Sequence, residues 1–94
     1  MKDKLIAYLG FARKSGNLIF GVDNCIAKSG KICLVIIDKT LADNSKKKIT
    51  KIVDAKPDCD MLAVDNLDDI LGTTNCKAVG IASIDLAKAI RQLY

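Results

Sequence analysis

Cationic side chains cluster near the ends of the expected helices and strands, where they could bind phosphates. The clusters are Arg13 and Lys14, then Lys31, and then Lys46, Lys47 and Lys48. Helix N-termini and cationic loops at one end of an α/β sheet can bind phosphates without any catalytic group. The clusters therefore indicate a phosphate-rich partner.

The charge of the chain is unevenly distributed. Residues 1–56 carry 12 Lys or Arg against 5 Asp, a net charge of +7, whereas residues 57–94 carry 3 against 6, a net charge of −3. A basic front half with an acidic back half favours one polyanion-binding face, and nucleic acid is the obvious partner. The alternative is that the lysines only keep a small domain soluble.

Catalytic and metal-binding patterns are missing from the sequence. The chain has no histidine, no glycine-rich nucleotide loop and no serine elbow. Asp38, at the end of an apolar run, could act as a base or bind a metal, but a turn or capping role is more usual there. We therefore expect no enzymatic activity, no cofactor and no metal.

The four cysteines also lack metal-ligand spacing. Cys25 and Cys33 are the closest pair, 8 positions apart, and both lie next to aliphatic residues; the other two are Cys59 and Cys76. We expect small buried thiols in a reducing compartment.

Length and hydropathy predict one domain over residues 1–94. At 94 residues and 50% hydrophobic content the chain can form a single core. It has no apolar run long enough to cross a membrane and no secretion signal at its start. We expect a cytoplasmic monomer that does not bind membranes.

Apolar periodicity predicts alternating helices and strands. Strands are expected at 18–20, 32–37, 61–64 and 78–81, and five helices are expected before, between and after them. Asp23 or Asn24 is the expected cap of the second helix, residues 43–45 of the third, Asn66 of the fourth and Ser83 of the fifth. The pattern predicts the α/β class, arranged as an α/β/α sandwich.

The third helix is expected to carry its lysines in the first turn, where they oppose the helix dipole. A bound phosphate would compensate, although solvated lysines can also tolerate this cost. In such folds ligands gather outside the strand ends, which would bring residues 21–24, 43–47 and 73–75 within reach of one another.

Several motifs in order give the chain a family resemblance over almost its whole length. They are residues 9–18 (LGFARKSGNL), Gly21, residues 29–31 before 34–37, residues 44–49 (NSKKKI), residues 71–72 and residues 79–81. With these motifs the chain resembles the bacterial YlxQ-type relatives of the L-seven-Ae/L-thirty-e ribosomal proteins, which bind kink-turn RNA.

The resemblance implies a three-layer α/β/α sandwich of the ribosomal L-thirty-e type, with a central mixed sheet of about four strands and no catalysis. It also implies an RNA site at the starts of the second and third helices and in the loop before the last strand. The residues at those places are Gly21, Asp23, Asn24, Lys28, Asn44, Ser45, Lys46, Lys47, Thr73, Thr74 and Asn75.

The sequence departs from the family at the stretch that reads the sheared G·A pairs of a kink-turn. Gly21, Val22, Asp23 and Asn24 stand there, and the family's Glu is absent because all 11 acidic residues are Asp. Asn24 can accept a hydrogen bond from a guanine edge without the charge of a carboxylate. The resemblance implies binding of structured RNA, with a kink-turn or ribosomal RNA as the expected partner, and the missing carboxylate implies weaker kink-turn affinity.

Two alternatives to this reading remain. Asp23 and Asn24 can be ordinary helix caps. The chain can also be a protein-interaction module that kept the fold and lost RNA binding, with an apolar patch near Val22, Cys25 and Ile26.

Overall fold

Five α-helices alternate with four β-strands in the computed structural model, which describes residues 2–72 and 76–93. The helices are α1 (Lys2–Lys14), α2 (Val22–Ala27), α3 (Asp43–Asp54), α4 (Leu67–Leu71) and α5 (Ile84–Arg91). The strands are β1 (Leu18–Phe20), β2 (Leu34–Asp38), β3 (Asp60–Val64) and β4 (Ala78–Ile81). A 3-10 turn, Ser29–Lys31, follows α2.

The four strands form one mixed sheet in the order β1-β4-β2-β3. β2 runs parallel to β3, with Ile36 opposite Leu62, and β4 runs antiparallel to both β1 and β2, with Val79 opposite Ile36. As a result, β1, β2 and β3 end at the same side of the sheet, where β4 begins. We call this side the carboxyl edge.

Helices cover both faces of the sheet, which explains why all five residues of β2 are buried. One core cluster joins α1, α4 and α5 to the sheet and includes Leu5, Ile70 and Ile90. The other joins α2 and α3 to the opposite face and includes Cys25 and Ile49. The predicted three-layer α/β/α sandwich is therefore confirmed.

Gly80 allows the α2 layer to lie close to the sheet. A Cβ atom at this position would lie 2.8 Å from Ile32 Cδ1 and 3.3 Å from Cys25 Sγ, both in fully buried side chains. The absence of a side chain on β4 thus makes room for two core residues of that layer.

Two predicted helix starts are wrong. α2 begins directly after Gly21 and α3 directly after Ala42, and in neither case does a side chain of the described residues cap the helix. Asp23 and Asn24 consequently lie inside α2, and residues 43–45 form the first turn of α3. The expected cap of α5 is confirmed, because Ser83 Oγ accepts the Leu86 N–H at 3.4 Å.

The start of the central strand also differs from the prediction. The strand begins at Leu34 rather than at Ile32, and Ile32 and Cys33 connect it to the 3-10 turn that ends at Lys31. The Lys56 ammonium group donates to the carbonyl oxygens of Ser29 at 2.9 Å and Ile32 at 2.7 Å. This lysine therefore supplies a hydrogen-bond donor to backbone carbonyls outside the sheet.

Burial of the cysteines matches the expectation for three of the four. Cys25, Cys59 and Cys76 are buried free thiols, whereas Cys33 is half-buried. Burial raises the pKa of the Cys25 thiol to about 11, which keeps it protonated and unreactive at neutral pH.

Every helix in the described part of the chain is too short or too polar to cross a bilayer.

Candidate nucleic-acid interface

Gly21 sets the direction in which the chain leaves the sheet at the carboxyl edge. Its N–H donates to the Ala78 carbonyl at 2.9 Å, and its φ of 87° and ψ of 154° belong to a region that favours glycine. Because the chain turns here, α2 begins at the very next residue. The glycine that the family resemblance places in the site therefore has a conformational role.

Asn24 presents a hydrogen-bond acceptor on the exposed side of α2. Its Nδ2 group donates to the Phe20 carbonyl at 2.9 Å, which fixes which end of the amide points back toward β1. Its Oδ1 atom has no partner among the described residues, and the side chain is exposed. This amide oxygen is thus available to accept a hydrogen bond from a ligand.

Lys28 lies one helical turn after Asn24. The Lys28 N–H donates to the Asn24 carbonyl at 3.0 Å, so the two side chains leave the same side of the helix. Asp23 is also exposed, beside Asn24, and it lowers the positive charge of this surface. The α2 part of the site therefore combines an acceptor, one cation and one anion.

The first turn of α3 is acidic and polar rather than cationic. Asp43 occupies the first helical position, and Asn44 and Ser45 follow it. Lys46 is fourth, and its N–H already donates to the Ala42 carbonyl at 2.9 Å. The predicted conflict between first-turn lysines and the helix dipole is therefore wrong, because Asp43 matches the dipole in the usual way.

The lysines of α3 lie on the exposed surface of the helix. Ile49 and Ile52 face the core, whereas Lys46, Lys47, Lys48 and Lys51 are all exposed. An open groove of about 490 Å³ runs along this surface, lined by Asp43, Lys46, Lys47, Thr50 and Lys51. Thr50 and Lys51 were not among the predicted site residues, although Lys51 follows Lys47 at the four-residue spacing of one helix side.

Asp38 has a structural role at the centre of the carboxyl edge. Its Oδ1 accepts the Thr40 N–H at 2.8 Å and the Thr40 hydroxyl at 2.6 Å, and its Oδ2 accepts the Leu67 N–H at 2.9 Å. These hydrogen bonds lower the pKa of the Asp38 carboxyl group from 3.8 to about 2. The predicted turn and capping role is confirmed.

The remaining charges beside Asp38 are already engaged. Lys77 Nζ donates to Thr40 Oγ1 at 3.2 Å, and Lys39 forms an exposed ion pair with Asp65 at 3.5 Å. By contrast, Lys28, directly after α2, and the lysines of α3 form no ion pair within the described part of the chain. Within residues 2–72 and 76–93, no group of three potential metal ligands occurs.

The structure places two of the three predicted segments side by side. α2 and α3 pack in one layer through Cys25, Ile49 and Ile52, and both begin at the carboxyl edge. The third segment, Thr73, Thr74 and Asn75, lies outside the described residues. Lys77, directly before β4, lies at the same edge, because the Asp38 N–H donates to its carbonyl at 2.8 Å.

The prediction of an exposed apolar patch for a protein-interaction module is wrong in the residues that it names. Cys25 is fully buried, and Val22 packs against the core beside it. Ile26, with 40% exposure, is the member that reaches solvent substantially. The three side chains therefore do not form one exposed apolar surface.

Comparisons with known proteins support the fold. A scan against protein-family models gives no match, and neither does a search of curated proteins. Among solved structures, the chain is similar to a protein described as having unknown function from Bacillus halodurans, with a TM-score of 0.84 at 20% sequence identity. The similarity covers 96% of this chain and 95% of the other, so the two share their fold over nearly their full length.

Proposed function

We propose that this protein is a non-catalytic RNA-binding protein that recognises kink-turn or similarly structured RNA at the carboxyl edge of its sheet. The observation that carries the proposal is the anchored amide of Asn24, whose Nδ2 donates to the Phe20 carbonyl at 2.9 Å. This contact leaves an oriented oxygen exposed on the helix side that also carries Lys28.

An oriented amide oxygen suits the edge of a guanine base. Guanine presents an N–H₂ donor in the minor groove, and the family that this chain resembles reads sheared G·A pairs with polar side chains at this stretch. Because a neutral amide lacks the charge-assisted bond of a carboxylate, we expect moderate preference for the kink-turn.

Exposed lysines supply the contact with phosphates. Directly after α2, in the 3-10 turn and on α3 there are six of them, against the exposed Asp23, Asp43 and Asp54; the six are Lys28, Lys31, Lys46, Lys47, Lys48 and Lys51. The net charge of this set is +3. Lysine ammonium groups bind phosphates as point charges and do not distinguish bases, so they contribute affinity rather than selectivity.

The proposal extends to the setting in which the protein works. We propose a monomer that acts in the cytoplasm on ribosomal or another structured RNA, without a cofactor and away from membranes. The six lysines and the amide oxygen require neither a second subunit nor a bound metal for these contacts.

The proposal is tested by titrating the protein into a fluorescently labelled kink-turn RNA at several salt concentrations. We expect saturable binding whose affinity falls steeply with salt, by roughly 0.7 to 0.9 in log K per unit of log salt concentration for each phosphate contacted. Failure to bind the RNA even at low salt would contradict the proposed function.

A further inference from the structure

The outer surface of α3 carries cations well beyond the start of the helix. Lys46, Lys47 and Lys51 line the open groove of about 490 Å³ with Asp43 and Thr50. All three lysines are exposed, and none forms an ion pair or a side-chain hydrogen bond within the described part of the chain. We call these three residues the α3 lysine row.

The donors of the groove are the ammonium groups of this row. The Thr50 hydroxyl group donates to the Lys46 carbonyl at 2.8 Å, so its proton is already used within the helix. Thr50 therefore contributes a short side chain that leaves room between the lysines. Asp43 is the acidic member of the lining, and it lies at the end of the groove nearest the helix start.

The spacing of the row fits a chain of phosphates better than one small anion. Lys47 and Lys51 are four residues apart, and Lys46 to Lys51 extends over about 7 to 8 Å of helix axis at 1.5 Å per residue. Three flexible point charges spread along a helix match successive phosphates of a nucleic acid strand.

The position of the row relates it to the proposed base-reading residue. α2 and α3 pack together on one face of the sheet, and both begin at the carboxyl edge. An RNA read by Asn24 can therefore continue along the outer surface of α3. We infer that the α3 lysine row binds the sugar-phosphate backbone of a helical RNA stem next to the structured element, an inference that rests on the proposed RNA-binding function.

The test compares two variants that lose the same charge. The double variant Lys47→Gln with Lys51→Gln removes two cations of the row, and Gln preserves helix propensity. The matched control, Lys4→Gln with Lys88→Gln, removes two exposed cations from α1 and α5 on the opposite face. Circular dichroism and thermal unfolding verify that both variants keep the fold.

Affinity for a kink-turn RNA with a long stem is measured against salt concentration for the wild type and both variants. We expect the slope of log K against log salt to become shallower by roughly 1.4 to 1.8 in the row variant, which corresponds to two lost phosphate contacts. The control variant should keep the wild-type slope.

The outcomes separate this inference from the function on which it rests. If the wild type binds the RNA but both variants change the slope equally, or neither changes it, the row has no specific role and the RNA-binding function still stands. If the wild type does not bind the RNA at any salt concentration, the proposed function fails and the inference fails with it.

Discussion

Asp38 and Leu67 are 29 residues apart in sequence and joined by a hydrogen bond of 2.9 Å, in which the Leu67 N–H donates to Asp38 Oδ2. Leu67 is the first residue of α4, and Asp38 is the last residue of the central strand. The carboxylate thus caps a helix from the neighbouring strand end, while its other oxygen accepts both Thr40 donors. One buried side chain holds β2, its following loop and α4 together.

Replacing this carboxylate should destabilise the fold. In Asp38→Asn the Nδ2 group cannot accept a hydrogen bond, so at least one backbone N–H of this network loses its partner. We expect the free energy of unfolding to fall by roughly 1.5 to 3 kcal/mol. Urea denaturation at pH 7 measures it, and Asp65→Asn, at a side chain that is 73% exposed, is the matched control and should have little effect.

The same contact predicts a dependence of stability on acid. Folding lowers the Asp38 pKa from 3.8 to about 2. The ionised carboxylate therefore contributes fully to the free energy of unfolding above about pH 4, and this contribution is lost as the pH falls toward 2. That pKa change corresponds to about 2 kcal/mol. Unfolding measured across this pH range should show a shallower decline for Asp38→Asn than for the wild type, and an equal decline would contradict the capping role.

Two glycine substitutions should have opposite effects on stability. Gly80→Ala places a methyl group 2.8 Å from Ile32 Cδ1 in the core and should cost roughly 1 to 3 kcal/mol. Gly10→Ala meets no atom within 4 Å on α1 and should stabilise the protein by roughly 0.5 to 1 kcal/mol through helix propensity. Thermal unfolding of both variants checks the prediction, and a Gly80→Ala protein as stable as the wild type would contradict the close packing.

Removing the two lysines that begin the cationic part of α3 should weaken binding to every RNA alike. We expect Lys46→Ala with Lys47→Ala to lower affinity roughly tenfold near physiological salt, for a kink-turn and a plain duplex equally. Parallel titrations with both RNAs measure this effect. A loss confined to the kink-turn would mean that these lysines read the structure rather than the phosphates.

Truncating Asn24 should instead change selectivity. Asn24→Ala removes the oriented acceptor, so the difference in affinity between a kink-turn and a duplex should narrow by a factor that corresponds to roughly 1 kcal/mol. Gln92→Ala, which removes an exposed amide after α5, is the control and should leave the difference unchanged. Equal losses for both RNAs in the Asn24 variant would contradict the readout role.

The sequence predicted the layers of this fold well because burial leaves a strong local pattern. The unbroken apolar run of residues 34–37 belongs to a strand covered on both faces, and the spacing of Ile49 and Ile52 identifies the inner side of α3. The element order and the number of strands followed from such patterns. These predictions required neither the pairing of the strands nor the crossing angles of the helices.

Helix starts were predicted less well. The first N–H groups of a helix either bond to a distant part of the chain, as in α4, or have no side-chain cap, as in α2. Asn66 is the residue before α4, but it adopts a left-handed conformation, and the first N–H of the helix is bonded to Asp38 instead. At α2 the glycine turn at residue 21 displaced the expected polar cap. A capping motif in sequence cannot show that another strand supplies the acceptor.

The sequence predicted the candidate site only in part, because some of its features depend on contacts in the folded chain. The cationic residues 46–48 lie on α3 as expected, whereas the position of Lys51 in the same groove depends on which side of the helix faces solvent. The orientation of the Asn24 amide depends on the end of β1, which only the folded chain brings into contact.

The measurement that most directly tests the central claim is a comparison of two RNAs near physiological salt. One is a kink-turn, and the other is the same RNA with its G·A pairs replaced by Watson–Crick pairs. We predict tighter binding of the wild-type protein to the kink-turn. Equal affinity for both RNAs would contradict recognition of the structured element and leave only a phosphate contact, and no binding to either would contradict RNA binding altogether.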